Sequence, residues 1–195
     1  MRFLLVALLW LIALGTVNVA SATRSEEMTE LCQKGMANFC HYLGAMYANG
    51  EDVPQDSVKA VEFYQKACNG QDMWGCRNLG GMYEYGTGVT QDFVKAVEFY
   101  RQACDGQDGI GCGYLGIMYD KGTGVKQDSV TAVALYQQAC TGRWAANCVN
   151  LGSMYEQGKG VRQSVKNALT FYGKACDLKE KLGCEEYARL KTLKK

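Results

Sequence analysis

The stretch CNGQDMWGCRNLGGMYEYGTGVTQDFVKAVEFYRQA, Cys68 to Ala103, decides the fold, because the rest of the chain repeats it. A shift of 36 residues brings every landmark back. Cysteines fall at Cys32, Cys68, Cys104, Cys140 and Cys176, and a second set falls eight residues later at Cys40, Cys76, Cys112, Cys148 and Cys184. Leu-Gly recurs from Leu43, Leu79, Leu115 and Leu151, and Met-Tyr from Met46, Met82, Met118 and Met154. Ala60, Ala96, Ala132 and Ala168 share one phase; Tyr64, Tyr100, Tyr136 and Tyr172 share another. A fixed period of about 20–50 residues is the mark of a repeat architecture.

Within one unit the spacing is helical. Leu79, Met82 and Tyr83 stand at i, i+3 and i+4, with Cys76 one turn earlier, which makes one apolar stripe. Gly80 keeps that stripe small where a neighbouring helix approaches. Gly86-Thr87-Gly88 follows, and glycine just past a helix is a stop signal. Asp92 then offers an N-cap oxygen. Ala96, Val97, Tyr100, Ala103 and Cys104 form a second amphipathic stripe, which Asp105-Gly106 ends. The unit is helix A, a glycine turn, helix B and a short turn, and short connections make the helices antiparallel neighbours. The expected fold is an all-α solenoid of antiparallel helix pairs. A half-repeat cap spans 25–35, four helix pairs span 36–177, and a capping helix spans 180–193. The final helix carries Tyr187-Ala188 in place of Leu-Gly, and the first pair carries Asp52 in place of the second turn glycine, followed by Pro54. Terminal repeats need a polar outer face.

The composition agrees. One proline and 23 glycines suit many short turns, and a net charge of +1 gives no long-range attraction for nucleic acid. The Lys191, Lys194 and Lys195 tail reads as a solvated end. Residues 1–22 are a separate object: Arg2, an apolar run from Phe3 to Leu14, and Ala20-Ser21-Ala22 form the pattern of a cleaved secretory signal, with the mature chain, 23–195, starting near Thr23. A retained anchor is the rival reading of that run. The expected location is secreted or periplasmic, with no stable membrane insertion after cleavage.

Ten cysteines in an exported chain imply disulfides. Pairing each cysteine with the one eight residues on (Cys32–Cys40, Cys68–Cys76, Cys104–Cys112, Cys140–Cys148, Cys176–Cys184) uses all ten. Pairing across the long interval leaves Cys32 and Cys184 alone, so the repeat favours the local scheme. Structural zinc is the third reading; the seven-residue gap lacks zinc-site spacing, and only His41 could add a nitrogen. No metal and no cofactor are expected.

The string L-G-x-M-Y-x-x-G-x-G-V-x-Q-D, followed by K-A-V-x-F-Y-x-x-A-C, resembles the SEL-1-like repeat, a relative of the tetratricopeptide repeat. With its Cys-x7-Cys pairs at 36-residue spacing the chain is similar to the secreted cysteine-rich proteins of Helicobacter, over residues 28 to 187. The resemblance implies a right-handed superhelix with a concave groove, stapled by the disulfides, and an adaptor-like binding role. It also implies an alternative function, penicillin binding with weak β-lactamase activity. The residues do not carry that activity themselves. Ser-x-x-Lys, Ser-Asp-Asn and a Gly-x-Ser-x-Gly elbow are missing, and Lys121-Gly122-Thr123-Gly124 is a turn. Ser57 and Ser164 stand where helix B starts and read as capping or solvated residues. His41 follows Cys40, but a disulfide would remove that thiol as a nucleophile. Catalytic residues are therefore not assigned.

Binding has better material. In tetratricopeptide relatives the residue before the Leu-Gly leucine is often an asparagine that holds a peptide backbone. Tyr42, Asn78, Tyr114 and Asn150 occupy that position here. The expected groove site is Asn78 and Asn150 with Arg77, Trp74 and Tyr85, and its partner a protein or peptide, a peptidoglycan fragment or a β-lactam. The alternative is that both asparagines only tie adjacent helices together. The Met and Tyr ladders read as core, and the chain is expected to be a monomer.

Overall fold

The computed structural model describes residues 24–142 and 144–192; the signal-peptide reading, Lys194 and Lys195 lie outside them. All regular structure among the described residues is helical. Residues 24–33 form α1, followed by α2 (Ala37–Asn49), α3 (Ser57–Asn69), α4 (Met73–Tyr85), α5 (Phe93–Asp105), α6 (Gly109–Lys121), α7 (Ser129–Thr141), α8 (Ala145–Gln157), α9 (Val165–Asp177) and α10 (Lys181–Thr192). Helices α2, α4, α6 and α8 are the A helices, and α3, α5, α7 and α9 the B helices. Each A helix packs on its own B helix, and each B helix on the next A helix. The result is a right-handed α/α solenoid.

The turn string has a mechanical reading. Gly50, Gly86, Gly122 and Gly158 end the A helices in the left-handed region. The Gln of the Q-D step reaches back to a carbonyl of the finished helix: Gln55 donates to Ala48, Gln91 to Glu84, Gln127 to Asp120 and Gln163 to Glu156, all at 2.7–2.8 Å. The aspartate beside it caps the next helix, with Asp56, Asp92 and Asp128 each accepting from two backbone amides. One dipeptide thus satisfies orphan groups on both sides of the turn. Ser164 takes the capping role for α9, whereas Ser57 is simply the first helical residue after the Asp56 cap.

Leu-Gly and the B-helix tyrosine are one device. A Cβ on Gly80 would lie 2.7 Å from the Tyr100 ring, and Gly44, Gly116 and Gly152 meet Tyr64, Tyr136 and Tyr172 in the same way. The ring lies on bare backbone, and Leu43, Leu79, Leu115 and Leu151 are buried beside it. Ala188 is acceptable at the matching place in α10 because no described B helix follows to lay a tyrosine on it.

All five disulfides join cysteines eight apart, each linking the end of one helix to the start of the next: Cys32–Cys40, Cys68–Cys76, Cys104–Cys112, Cys140–Cys148 and Cys176–Cys184. Cys68–Cys76, Cys104–Cys112 and Cys140–Cys148 each staple a B helix to the following A helix, and Cys176–Cys184 staples α9 to α10. Five bonds of this kind mark a chain that matures in an oxidising, non-cytoplasmic environment.

Candidate functional site: the helix-A groove

Two adjoining clefts open on the A-helix face. The first, of about 380 Å³, is lined by Arg77, Asn78 and Tyr85 of α4, Ile110 and Tyr114 of α6, and the B-helix rings of Tyr64 and Tyr100. The second, of about 260 Å³, lies between α6 and α8; Ile117, Trp144 and Asn150 line it. Ile110 and Tyr114 are shared, so the clefts form one groove with a waist. The groove therefore brings Arg77, Asn78 and Tyr85 together and places Asn150 one repeat further on. Trp74 stands apart. It is 52% exposed and packs edge-on to His41, with ring centroids 5.6 Å apart.

The two asparagines differ in what they meet. Burial keeps the B-helix tyrosines protonated, pushing Tyr64 up to about 12. Tyr100 then donates to Glu84 at 2.6 Å, and Tyr172 to Glu156 at 2.9 Å. The equivalent position in the first repeat is Ala48, so Tyr64 finds no acid in its own repeat and is hydrogen-bonded by Asn78 instead. Asn78 thus ties α4 to α3. Among the described residues nothing engages the Asn150 amide, which faces the second cleft.

Arg77 is also committed. Its guanidinium reaches both carboxylate oxygens of Asp108, at 3.2 and 3.0 Å, and the side chains are only 18% and 3% exposed. Asp108 at the same time caps α6. One junction earlier the same two positions hold His41 and Asp72, 4.0 Å apart. One junction later they hold Gly113 and Trp144. Neither position carries a charge: the Trp144 ring lies on Gly109 and the Asn147 amide on Gly113, where a Cβ would come within 2.1 and 2.4 Å. The apolar second cleft is what this replacement leaves. Trp144, Tyr114 and Ile110 are groove residues that motif reading passes over. The visible signal for Trp144 is a tryptophan in the column that holds the capping aspartates Asp72 and Asp108 in the two middle repeats and Met36 in the first.

His41 sits among Tyr42, Tyr64 and Trp74, and the Cys40 sulfur beside it is bonded to Cys32. Burial is the dominant influence and lowers its pKa; Arg77 lowers it further, and Asp72 opposes both. A histidine held below its ordinary value of about 6.5 stabilises the fold in its neutral form, so that stability is present above that value and is lost as pH falls through the folded-state pKa. His41 is the only histidine. The melting temperature is therefore expected to fall as pH drops below about 6.5, and His41→Gln to flatten that fall, as thermal unfolding across it will show.

Among the described residues there is no group of three or more side chains able to hold a metal, and no helix long and apolar enough to cross a membrane. Fold and groove together define a disulfide-stapled helix-pair solenoid with its open surface on the A helices. The chain belongs to the Sel1 repeat family, whose model matches residues 37–72, 75–108, 110–142 and 148–180. Such repeats form scaffolds for protein interaction.

A protective antigen of uropathogenic Escherichia coli with an SLR fold is 32% identical, with a TM-score of 0.81, over 84% of this chain and 35% of its own length. A Sel1 repeat protein from Oxalobacter formigenes is 28% identical at a TM-score of 0.70, over 79% of this chain and 69% of that one. Helicobacter pylori cysteine rich protein B is 32% identical at a TM-score of 0.55, over 67% of this chain and 94% of that one. No curated protein matches the chain.

Proposed function

We propose that the chain is a secreted or periplasmic scaffold whose A-helix groove binds an extended peptide of a protein or cell-wall partner. The observation that carries this reading is the second cleft. An uncommitted Asn150 amide stands beside an apolar recess walled by Trp144, Tyr114 and Ile117. An amide that can both donate and accept suits a peptide backbone, and the recess suits an apolar side chain. The first cleft extends the track with Tyr85, 71% exposed at its rim. Arg77 and Asn78 shape this cleft; their polar groups are already engaged within the protein.

The test is titration of the oxidised protein with a peptide selected from a random library displayed on phage. Asn150→Ala should weaken binding about tenfold, one net hydrogen bond of about 1–1.5 kcal/mol, and leave the melting temperature unchanged. Asn78→Ala should cost about 1 kcal/mol of stability, because the Tyr64 hydroxyl loses its partner. Equal affinity for wild type and Asn150→Ala would remove the groove assignment. Sustained turnover of a chromogenic cephalosporin that co-purifies with the protein would replace the scaffold reading with the hydrolase reading.

A further inference from the structure

Apart from the tyrosines, two polar side chains are buried among the described residues, Asp108 at 7% exposure and Asn147 at 8%. Asp108 is held by the Arg77 guanidinium and by the backbone amides that it caps. Nothing among the described residues hydrogen-bonds the Asn147 amide, which lines the second cleft. A buried amide without a partner destabilises the fold, so packing does not account for an asparagine here.

Two departures from the repeat meet at this spot. Residue 147 belongs to the column of Phe39, Gly75, Gly111 and Gly183. The three glycines lie on an alanine of the helix before them, where a Cβ would come within 2.5–2.7 Å. Helix α8 carries a side chain in their place, and its amide lies on α6: a Cβ on Gly113 would stand 2.4 Å from Asn147 Nδ2 and 2.5 Å from Oδ1. Gly113 in turn stands where α4 has Arg77. The glycine that opens the space and the asparagine that enters it occur together at this junction and in no other repeat.

Asn150 follows Asn147 by three residues, about one helical turn, and lines the same cleft. None of the described residues lining that cleft is charged, and Ile110, Ile117, Tyr114 and Trp144 supply its apolar wall. In an inference that rests on the groove reading above, we propose that Asn147 and Asn150 form a two-amide clamp for one uncharged peptide group inside an extended chain, with the adjoining apolar side chain seated against that wall. Each amide carries both a donor and an acceptor, so one donates to the ligand's C=O while the other accepts from its N–H. A carboxylate has no hydrogen to give, and it would enter a cleft whose described lining holds no cation. The clamp therefore selects an internal segment over a free carboxyl end.

The probe is N-acetyl-leucine N-methylamide, a leucine with a peptide group on each side and no charge, titrated into the full oxidised protein by NMR. A ligand of about a dozen heavy atoms is expected to bind with a Kd on the order of 1 mM, and the side-chain NH2 resonances of Asn147 and Asn150 to shift together. N-acetyl-leucine, the same molecule ending in a carboxylate, should bind at least about tenfold more weakly. Asn147→Ala should weaken the methylamide about tenfold while the melting temperature holds or rises, because an unpartnered buried amide gives way to a better helix former. A purely structural amide would give a lower melting temperature and unchanged affinity. Asn147 resonances of the wild type that stay in place on adding the methylamide overturn the proposal, and this readout needs no variant. So does an acid that binds as tightly as the methylamide, or a folded Asn147→Ala that binds as tightly as wild type. Shifts at Asn150 without Asn147 remove the clamp and leave the groove reading standing, which the Asn150→Ala titration decides separately.

Discussion

Gly124→Ala is expected to lower the melting temperature by roughly 10 °C, whereas Asp52→Ala at the matching place in the first repeat should change it little. Gly124 has φ +68°, and a Cβ there would stand 2.2 Å from the Phe93 carbonyl oxygen. The left-handed backbone costs an alanine about 1–2 kcal/mol. The contact adds more, because the opposing atom is main chain at the start of α5 and cannot rotate away. A total of about 3–4 kcal/mol, at about 2–4 °C per kcal/mol for a chain of this size, gives the expected shift. Gly88 and Gly160 lie as close to the carbonyls of Ser57 and Ser129, so each second turn glycine seats its repeat on the B helix before it. In the first pair the position that matches Ser57 is Ser21, outside the described residues, and α1, the helix in the B register there, is described from Arg24. There Asp52 takes φ +60° with a side chain, and Arg24 reaches it at 3.1 Å. Scanning calorimetry of the two variants settles the point. A shift of less than about 5 °C for Gly124→Ala would mean that the Phe93 carbonyl yields and that only the left-handed backbone requires the glycine.

That contrast explains how much of this fold the sequence shows. Landmarks such as Leu79, Gly80, Tyr100 and Asp92 meet partners in their own repeat or the next, so each returns every 36 residues and the period displays it. Departures are legible for the same reason: Asp52 and Ala188 break their columns in the first and last repeats. The groove is harder to read, because its chemistry depends on columns rather than rows. Asn78 looks free until Tyr64, on the helix before it, is seen to take its amide. Arg77 looks like a cation offered to a ligand until Asp108, 31 residues on, is seen to hold it. Trp144 occupies a capping position without capping, its side chain accepting no hydrogen bond at the start of α8. Each fact needs two positions a repeat apart to be compared at once. A motif read along one helix lacks that comparison.

Complete reduction of the five disulfides is expected to abolish the cooperative fold near room temperature. Each bridge closes a loop of about nine residues and contributes roughly 2–3 kcal/mol in the chain-entropy model. Together they supply on the order of 10 kcal/mol, comparable to the whole stability of a typical domain of about 5–15 kcal/mol. A solenoid is especially exposed to this loss, because its stability is a sum over neighbours with no central core to compensate. The cores here divide in that way: four buried clusters follow one another along the chain, and each contains at least one of the bridged cysteines. Position should therefore matter. Removing Cys104–Cys112 with paired serines opens the junction of α5 and α6 in the middle of the stack, and both flanking halves should lose protection in hydrogen exchange. Removing Cys32–Cys40 frees only α1 from the end, and exchange should rise there alone, since the later junctions keep their staples. Circular dichroism on the reduced protein and exchange on the two variants make the comparison. A reduced chain that keeps most of its helical signal and still melts cooperatively would show that helix packing alone holds the stack. The same exchange pattern in both variants would show that the stack opens as one unit, with no order along its length.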